Sequence, residues 1–550
     1  MVGSRLQKRP LSEFPNDDIL AGEFWSMAWG QETFAPFDVD VVRDGTLFAN
    51  LDEPIPATCR LIKAHPFISK HLEHVVLRDE YVEALDAFTV LSREVPNGSI
   101  ITVGHPGIGK TIFLFYVLTY RLRRGLSTFY QKNAHSVLYF HKSGVYRIPA
   151  DQEPYSVDWE SDDIWSLVDS NRTVKGPGEL IGGKHSGWFL IEAASPHRER
   201  WSGWPKYKGF VDFFYMKPPS FAEIVMIRPH QKEYVGTEQD LYQFYQTYGP
   251  SIRYAFQYAS PSLISRYQTA VESTLEHLNY ERLLQDVQDA KRLNMEEGSH
   301  DIFIVEPSSD NRRKYVVSVV TDEIMKMVWE MHLRGEPQRI AGFAALFAGQ
   351  PSSRSTIGWI IDTHVHPILL QAGTRLFHPM QGLTWLFHPM QGLTWLFHLQ
   401  GLVECANVHY AYPDATAVQS PNIEVQIPDL RHLFFSMNDP TTDFKLNHYY
   451  QSKEKNNATF DALTFTQENG QNYVTVYQVM LAKEHGVSEE GLRFLDKYLD
   501  LPNGTTSIPK PRIRYVLVML QGEEVTSAFP RYWVEKWEGI LDVYALEIEL

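Results

Sequence analysis

The stretch Gly104-His105-Pro106-Gly107-Ile108-Gly109-Lys110-Thr111 fills every fixed position of a G-x-x-x-x-G-K-[ST] phosphate-binding loop. Such a loop works only between a buried strand and a helix, and both flanks comply. Residues 99–103 are a short β-branched run, and residues 111–118 open an apolar helix. Glycines at 104, 107 and 109 let the backbone curl until successive N–H groups face phosphate oxygens, with the helix N-terminus adding partial positive charge. Lys110 then reaches the β- and γ-phosphates, and the Thr111 hydroxyl offers one oxygen to magnesium. The expected ligands are ATP, or another nucleoside triphosphate, and Mg²⁺.

The bulk numbers frame this site. At 550 residues the chain exceeds what one core sustains, and 43% hydrophobic with 13% aromatic residues is a folded composition. A formal charge of −16 argues against broad nucleic-acid affinity while leaving room for a local basic cleft. Two distant cysteines, Cys59 and Cys405, predict no disulfide framework. Neither a conventional signal peptide nor a membrane span is expected, which leaves localisation and oligomeric state open.

Along the chain, residues 1–75 read as an irregular lead-in with at most one helix. Helical apolar spacing between 68 and 85 predicts a helix ahead of the loop strand. After the loop, a helix over 111–124 and strands at 136–141, 164–169 and 188–192 predict a parallel α/β sheet buried on both faces. Asp169 ends the second of those strands, where a carboxylate would hold magnesium opposite Thr111. Glu192 competes for that role, and Ser195 follows it as a candidate γ-phosphate sensor. A strand over 210–215 runs into Pro218-Pro219, with Ser220 as helix cap. Arg253, at a helix start after Gly249-Pro250-Ser251, is a candidate lid cation. Residues 376–395 are two identical copies of Leu-Phe-His-Pro-Met-Gln-Gly-Leu-Thr-Trp, too short for a solenoid and read as a duplicated loop or hairpin. Its histidines, His378 and His388, and His398 after them are read as packing or solvent residues.

Several separated blocks resemble the Crinkler family of fungi and fungus-like microbes and the related retrotransposon-hot-spot proteins. They are residues 76–81 (VLRDEY), the loop itself, 165–170 (WSLVDS), 214–218 (FYMKP) and 248–253 (YGPSIR). A second set comprises Gly358-Trp359-Ile360-Ile361-Asp362 with His366, Tyr449-Tyr450 leading to Thr459-Phe460-Asp461, and residues 476–480 (VYQVM) with 485–487 and 491–492. The resemblance implies an AAA+/STAND-like P-loop NTPase domain with a helical lid over 76–300. An α+β restriction-endonuclease-like domain over 301–550 would follow. It also implies a secreted effector acting in host nuclei or in conflicts between genomes, with DNA or a host protein as the second unit's partner. The Leu-Phe-Leu-Ala-Lys type of targeting header is not visible in residues 1–75.

A PD-(D/E)xK nuclease site needs acids that hold magnesium and a lysine that activates water. Asp362, Asp461 and Gln478 occupy the matching positions, but the lysine slot holds Met480, and Lys483 lies three residues later. The expectation is a degenerate site, with an active Mg²⁺-dependent DNase as the alternative. The third reading is an interaction protein that nucleotide switches without turnover. Asp362-Thr363-His364-Val365-His366 also matches the D-x-H-x-H opening of a zinc hydrolase site at a strand end. Too little chain follows for the barrel of about 250 residues that such a site closes.

Overall fold

The computed structural model describes residues 8–347, except 16–17, 49–50, 52, 160–162, 297 and 309–310. It also describes 359–379, 423–435, 444–453, 460–480, 484–486, 491–495, 512–520, 526–528, 536–537 and 540–548. The chain is mixed α/β and divides into two units, Met1–Met327 and Val328–Leu550.

The lead-in is more ordered than its composition suggests. Helix α1 (Ile19–Ala28) starts at Asp18, whose carboxylate accepts the Ala21 N–H, and it buries Phe24. That ring lies 5.2–6.3 Å from Phe34, Phe67, Phe115 and Phe140, so aromatic packing supplies the order that periodicity did not announce. Strands β1 (Phe37–Asp40), β2 (Thr58–Lys63) and β3 (His74–Val76) form a small antiparallel sheet. The helix expected from residue 68 therefore begins only at α2 (Asp79–Glu94), which buries Tyr81, Ala84, Leu85 and Phe88 on one stripe.

Strand β4 (Ser99–Val103) is buried along its whole length and feeds the glycine loop into α3 (Lys110–Arg123). There follow β5 (Thr128–Gln131), β6 (Ser136–His141), β7 (Gly144–Pro149), β8 (Trp165–Asp169), α4 (Glu179–Gly182), β9 (Phe189–Ala194) and β10 (Val211–Tyr215). The seven strands lie in the order β10-β4-β9-β8-β5-β6-β7. The first five are parallel, as expected, but β6 is antiparallel both to β5 and to β7, so it alone is reversed. Only residues 132–135 join β5 to β6, and only Lys142 and Ser143 join β6 to β7, both too short for a parallel crossover.

Beyond the sheet come α5 (Phe221–Ile227), α6 (Glu238–Tyr248), α7 (Ile252–Tyr258), α8 (Ile264–His277), α9 (Tyr280–Lys291) and α10 (Ser299–Ile302). Ser220 and Glu223 close a capping box on α5. A hairpin of β11 (Phe303–Pro307) and β12 (Tyr315–Val319) also belongs to the first unit, past the boundary expected at residue 300. It is tied in by the Tyr215 N–H donating to the Arg312 carbonyl and by the ion pair of Arg312 with Glu80.

In the second unit β13 (Gly373–Pro379), β14 (Ile423–Ile427), β15 (Arg431–Phe435), β16 (His448–Ser452), β17 (Ala462–Glu468) and β18 (Gln471–Met480) enter one mixed sheet. Past them, β19 (Glu484–Gly486) pairs separately with β21 (Thr526–Ala528), while β20 (Arg512–Leu520) and β22 (Leu541–Ile548) complete the larger sheet. Its order is β14-β13-β22-β20-β18-β17-β16-β15. The first residues of the duplicated decapeptide, 376–379, form part of β13; the rest of the repeat, with His388 and His398, lies outside the described residues.

Candidate functional site

The glycine loop is curled. Gly107 has φ 79° and Gly109 has φ 101°, the left-handed region that glycine enters without strain. A methyl group at 107 would meet Ser251 Oγ at 2.3 Å, and one at 109 would meet the Tyr81 hydroxyl at 2.1 Å. Both glycines are thus required by conformation and by space. Leaving Pro106 aside, the N–H groups of His105 through Lys110 donate to no protein acceptor among the described residues.

Lys110 Nζ folds back onto the carbonyls of Gly104, at 2.7 Å, and His105, at 2.8 Å. Burial, reinforced by the Arg253 charge, pushes its ammonium down to about 7, with Asp169 opposing. Thr111 Oγ1 donates to Asp169 Oδ1 at 3.0 Å, across 58 residues of sequence, so the two groups expected to share a magnesium are adjacent. Burial raises the Asp169 carboxyl, opposed by the Thr111 hydrogen bond and by Lys110 and Arg253. Two hard oxygen donors side by side suit Mg²⁺, which keeps its remaining waters.

Glu192 takes a different part. The register sets Asp169 beside Ala193 and Val168 beside Glu192, so Glu192 projects from the opposite face of the sheet. It is fully buried and accepts the Trp204 Nε1–H at 2.6 Å; burial pushes its carboxyl up to about 8. Ser195 follows the end of β9, and its carbonyl accepts the His197 N–H. Arg253 lies in the first turn of α7, its own N–H donating to the Gly107 carbonyl at 3.3 Å, while Ser251 Oγ reaches the Pro106 carbonyl at 3.4 Å. His105 is buried with its ring 5.8 Å from that of His300. Burial sends both imidazoles down, His300 to about 3, so both stay neutral at pH 7.

Sequence reasoning gave no role to the residues that hold the loop in shape. Arg78 is 2% exposed and donates to the Ile108 carbonyl, the Lys217 carbonyl and Glu223 Oε1, at 3.1, 3.0 and 3.0 Å. Tyr81 donates to the Gly109 carbonyl at 3.1 Å, and Glu80 accepts the Lys217 N–H at 2.9 Å. The one available signal was their position inside the blocks at 76–81 and 214–218.

In the second unit, Asp461 precedes β17, whose register begins with Ala462 opposite Tyr477, and the Asp461 N–H donates to the Tyr477 carbonyl at 2.8 Å. The Asp461 carboxylate accepts the Val479 N–H at 2.7 Å, and Gln478, 1% exposed, accepts the Tyr515 hydroxyl. Asp362 lies in a π-helical segment, Ile361–Val365, rather than at a strand end, and its side chain is outside what is described. His364 stacks on Trp329, with ring centroids 3.9 Å apart, while His366 Nδ1 pairs with the Tyr449 hydroxyl at 2.6 Å. The two imidazoles therefore serve separate contacts. Lys483 lies outside the described residues.

No family model matches the chain. It is similar to Crinkler effector protein 15 of Phytophthora infestans, 22% identical over 280 residues, covering 51% of this chain and 44% of that protein. It is also similar to Crinkler effector protein 16 of the same organism, 28% identical over 129 residues, covering 24% of this chain and 20% of that one. The chain thus spans less than half the length of each of these curated relatives. Both come from an oomycete, so they lend no support to a fungal source. No described helix is long and apolar enough to cross a membrane. The chain is a distant relative of Crinkler effector proteins.

Proposed function

We propose that the first unit is a P-loop nucleoside-triphosphate-binding module, with ATP as ligand and Mg²⁺-dependent hydrolysis as its activity. The observation that carries this reading is the row of undonated amides from His105 to Lys110 around two left-handed glycines. Backbone N–H groups near a buried strand end are seldom left without an acceptor, and an anion would satisfy several at once. Lys110 would exchange two carbonyls for phosphate oxygens and regain full charge there. Thr111 and Asp169 would hold the magnesium, whose charge would offset the negative charge of the phosphates. Arg253, on the helix fastened to Gly107, would add a cation from the lid side. With Glu192 committed to Trp204 on the far face, we assign no residue to polarise the attacking water and expect turnover to be slow relative to binding.

The test is Mg²⁺-ATP binding and turnover by the full chain and by Lys110→Ala. A loss of about 10²-fold or more in turnover is expected, the scale on which a preorganised charge contact acts. Equal affinity and equal turnover in the two proteins would remove the reading.

The second unit is proposed as a restriction-endonuclease-like domain that contacts nucleic acid or a protein partner. The name effector borne by the two relatives makes a host target part of the same proposal. Nuclease activity is the second reading, favoured by the Asp461 carboxylate reaching the strand that carries Gln478 and disfavoured by the bonds both side chains already make. Plasmid incubated with Mg²⁺ and protein, beside Asp461→Ala, decides it; cleavage that the substitution abolishes would reinstate the nuclease.

A further inference from the structure

A cavity of about 500 Å³ opens beside the segment that follows β10, in the first unit and separate from the loop residues 104–111. Its volume lies within the range of small-ligand pockets. Phe221, Tyr242 and Tyr245 line it together with Pro250 and Pro307. Phe221 sits 4.9 Å from Tyr242 and 5.7 Å from Tyr245, centroid to centroid, so the aromatic wall is packed in place. Glu53 and Glu306 add carboxylates. The Glu306 carboxyl is raised by burial alone, and no ion pair or hydrogen bond to it is formed among the described residues. Glu306 is half-buried, and an acid partly withdrawn from water with no cation beside it is stabilised by one that arrives. A second cavity of about 620 Å³ shares Glu53 and Lys217 with the first and carries Asp38, Asp79, Glu80 and Glu83 beside Arg60 and Arg78; Asp38 pairs with Arg60, and Glu80 and Glu83 pair with Arg312, so Glu53 and Asp79 extend the acidic side of the first cavity. Lys217 is the cation common to both.

Aromatic faces, proline rings and a half-buried carboxylate together select an organic cation on an apolar stem. We propose that this cavity takes an arginine side chain of a basic peptide segment in a partner protein, with the guanidinium at Glu306 and the flanking positive charges along the acidic side. The planar guanidinium suits the site better than an ammonium, because it stacks on aromatic faces and pairs with a carboxylate through two N–H groups. The proposal does not depend on nucleotide binding at the glycine loop.

The experiment measures binding of a fluorescent Gly-Arg-Arg-Gly-Arg-Gly peptide amide to the full chain, with and without Lys110→Ala. A citrulline version, a lysine version and spermine serve as comparison probes. Expected are an about tenfold loss of affinity for Glu306→Gln and for the citrulline peptide, a weaker lysine peptide, and a gain of about threefold for Lys217→Glu, each on the scale of one ion pair at a partly desolvated site. Unchanged affinity in Glu306→Gln with the fold intact by circular dichroism, or equal binding of the citrulline peptide, overturns the proposal. Spermine binding more tightly and displacing the peptide reassigns the cavity to a small polyamine and overturns the peptide source. Displacement by Mg²⁺-ATP that Lys110→Ala abolishes makes the cavity part of the nucleotide site, and the proposal falls.

Discussion

The two sheets of the molecule handle polar groups in opposite ways. The sheet of the first unit is apolar through its middle, with Ile100, Ile101, Leu167, Val168, Leu190 and Ile191 all buried. The groups assigned to phosphate and metal sit where β4 and β8 end. The sheet of the second unit is two-faced. One face joins Phe465, Val474, Val476, Ile513, Tyr515 and Leu517 into an apolar core. The register puts Tyr449, Thr464, Thr475 and Arg514 on the other face in one row, and all four are buried. Parallel strands covered on both sides leave chemistry only at their ends. A mixed sheet can bury polar side chains along its length provided that they find partners, as Arg514 does with Glu468 and His366 with Tyr449.

That contrast can be broken by experiment. Glu192 is the exception within the first sheet, a carboxyl in an apolar layer. Its pKa is raised from the ordinary range to about 8, so the stability it contributes is complete below about pH 4.5 and is lost as pH rises through 8. Glu192→Gln keeps an oxygen for Trp204 and should remove a penalty on the order of 4 kcal/mol at most at pH 8. Urea unfolding at pH 5 and pH 8 would show a flatter profile, and an unaltered slope would contradict the assignment. Arg78→Ala should cost about 3–5 kcal/mol, because it strands Glu223 and two carbonyls behind the loop. Differential scanning calorimetry of the full chain would place the loss in the first unit's transition.

In the second unit the sign reverses. Burial lowers the His366 imidazole to about 4, so unfolding takes up a proton and stability falls as pH drops from 6.5 towards 4. The difference between wild type and His366→Gln should therefore change by about 3 kcal/mol across that window, and a constant difference would show that His366 is not buried neutral. The smallest expected effect is Tyr81→Phe, which removes one hydrogen bond to Gly109 for about 1 kcal/mol. It should weaken Mg²⁺-ATP severalfold while leaving the Glu306 cavity unaffected.

Local signals made the glycine loop, its strand, its helix and the Ser220 cap legible, since each depends on residues within about one turn of one another. The pairing of Thr111 with Asp169 was also within reach, because strand ends converge in a parallel sheet. What escaped was set by partners far apart in sequence. Arg78 meets Glu223 across 145 residues and Glu80 meets Arg312 across 232, and no periodicity encodes such pairs. The direction of β6 depended on the short link over residues 132–135, whose preceding strand β5 had not been read. Phe24 carries the order of the lead-in through rings at residues 34, 67, 115 and 140, contacts that composition and periodicity over residues 1–75 do not encode. The D-x-H-x-H spacing suggested a strand end, whereas helical winding there sends the two rings to different neighbours.

The amide of Arg253 grips the carbonyl of Gly107, and that bond has a mechanical corollary. A peptide plane that swivels to greet an incoming anion must drag residues 252–258 or let them go. Arrival and departure of a ligand would then register as a tug on the helical segment downstream, a way for news of the loop to travel without any side chain being repurposed.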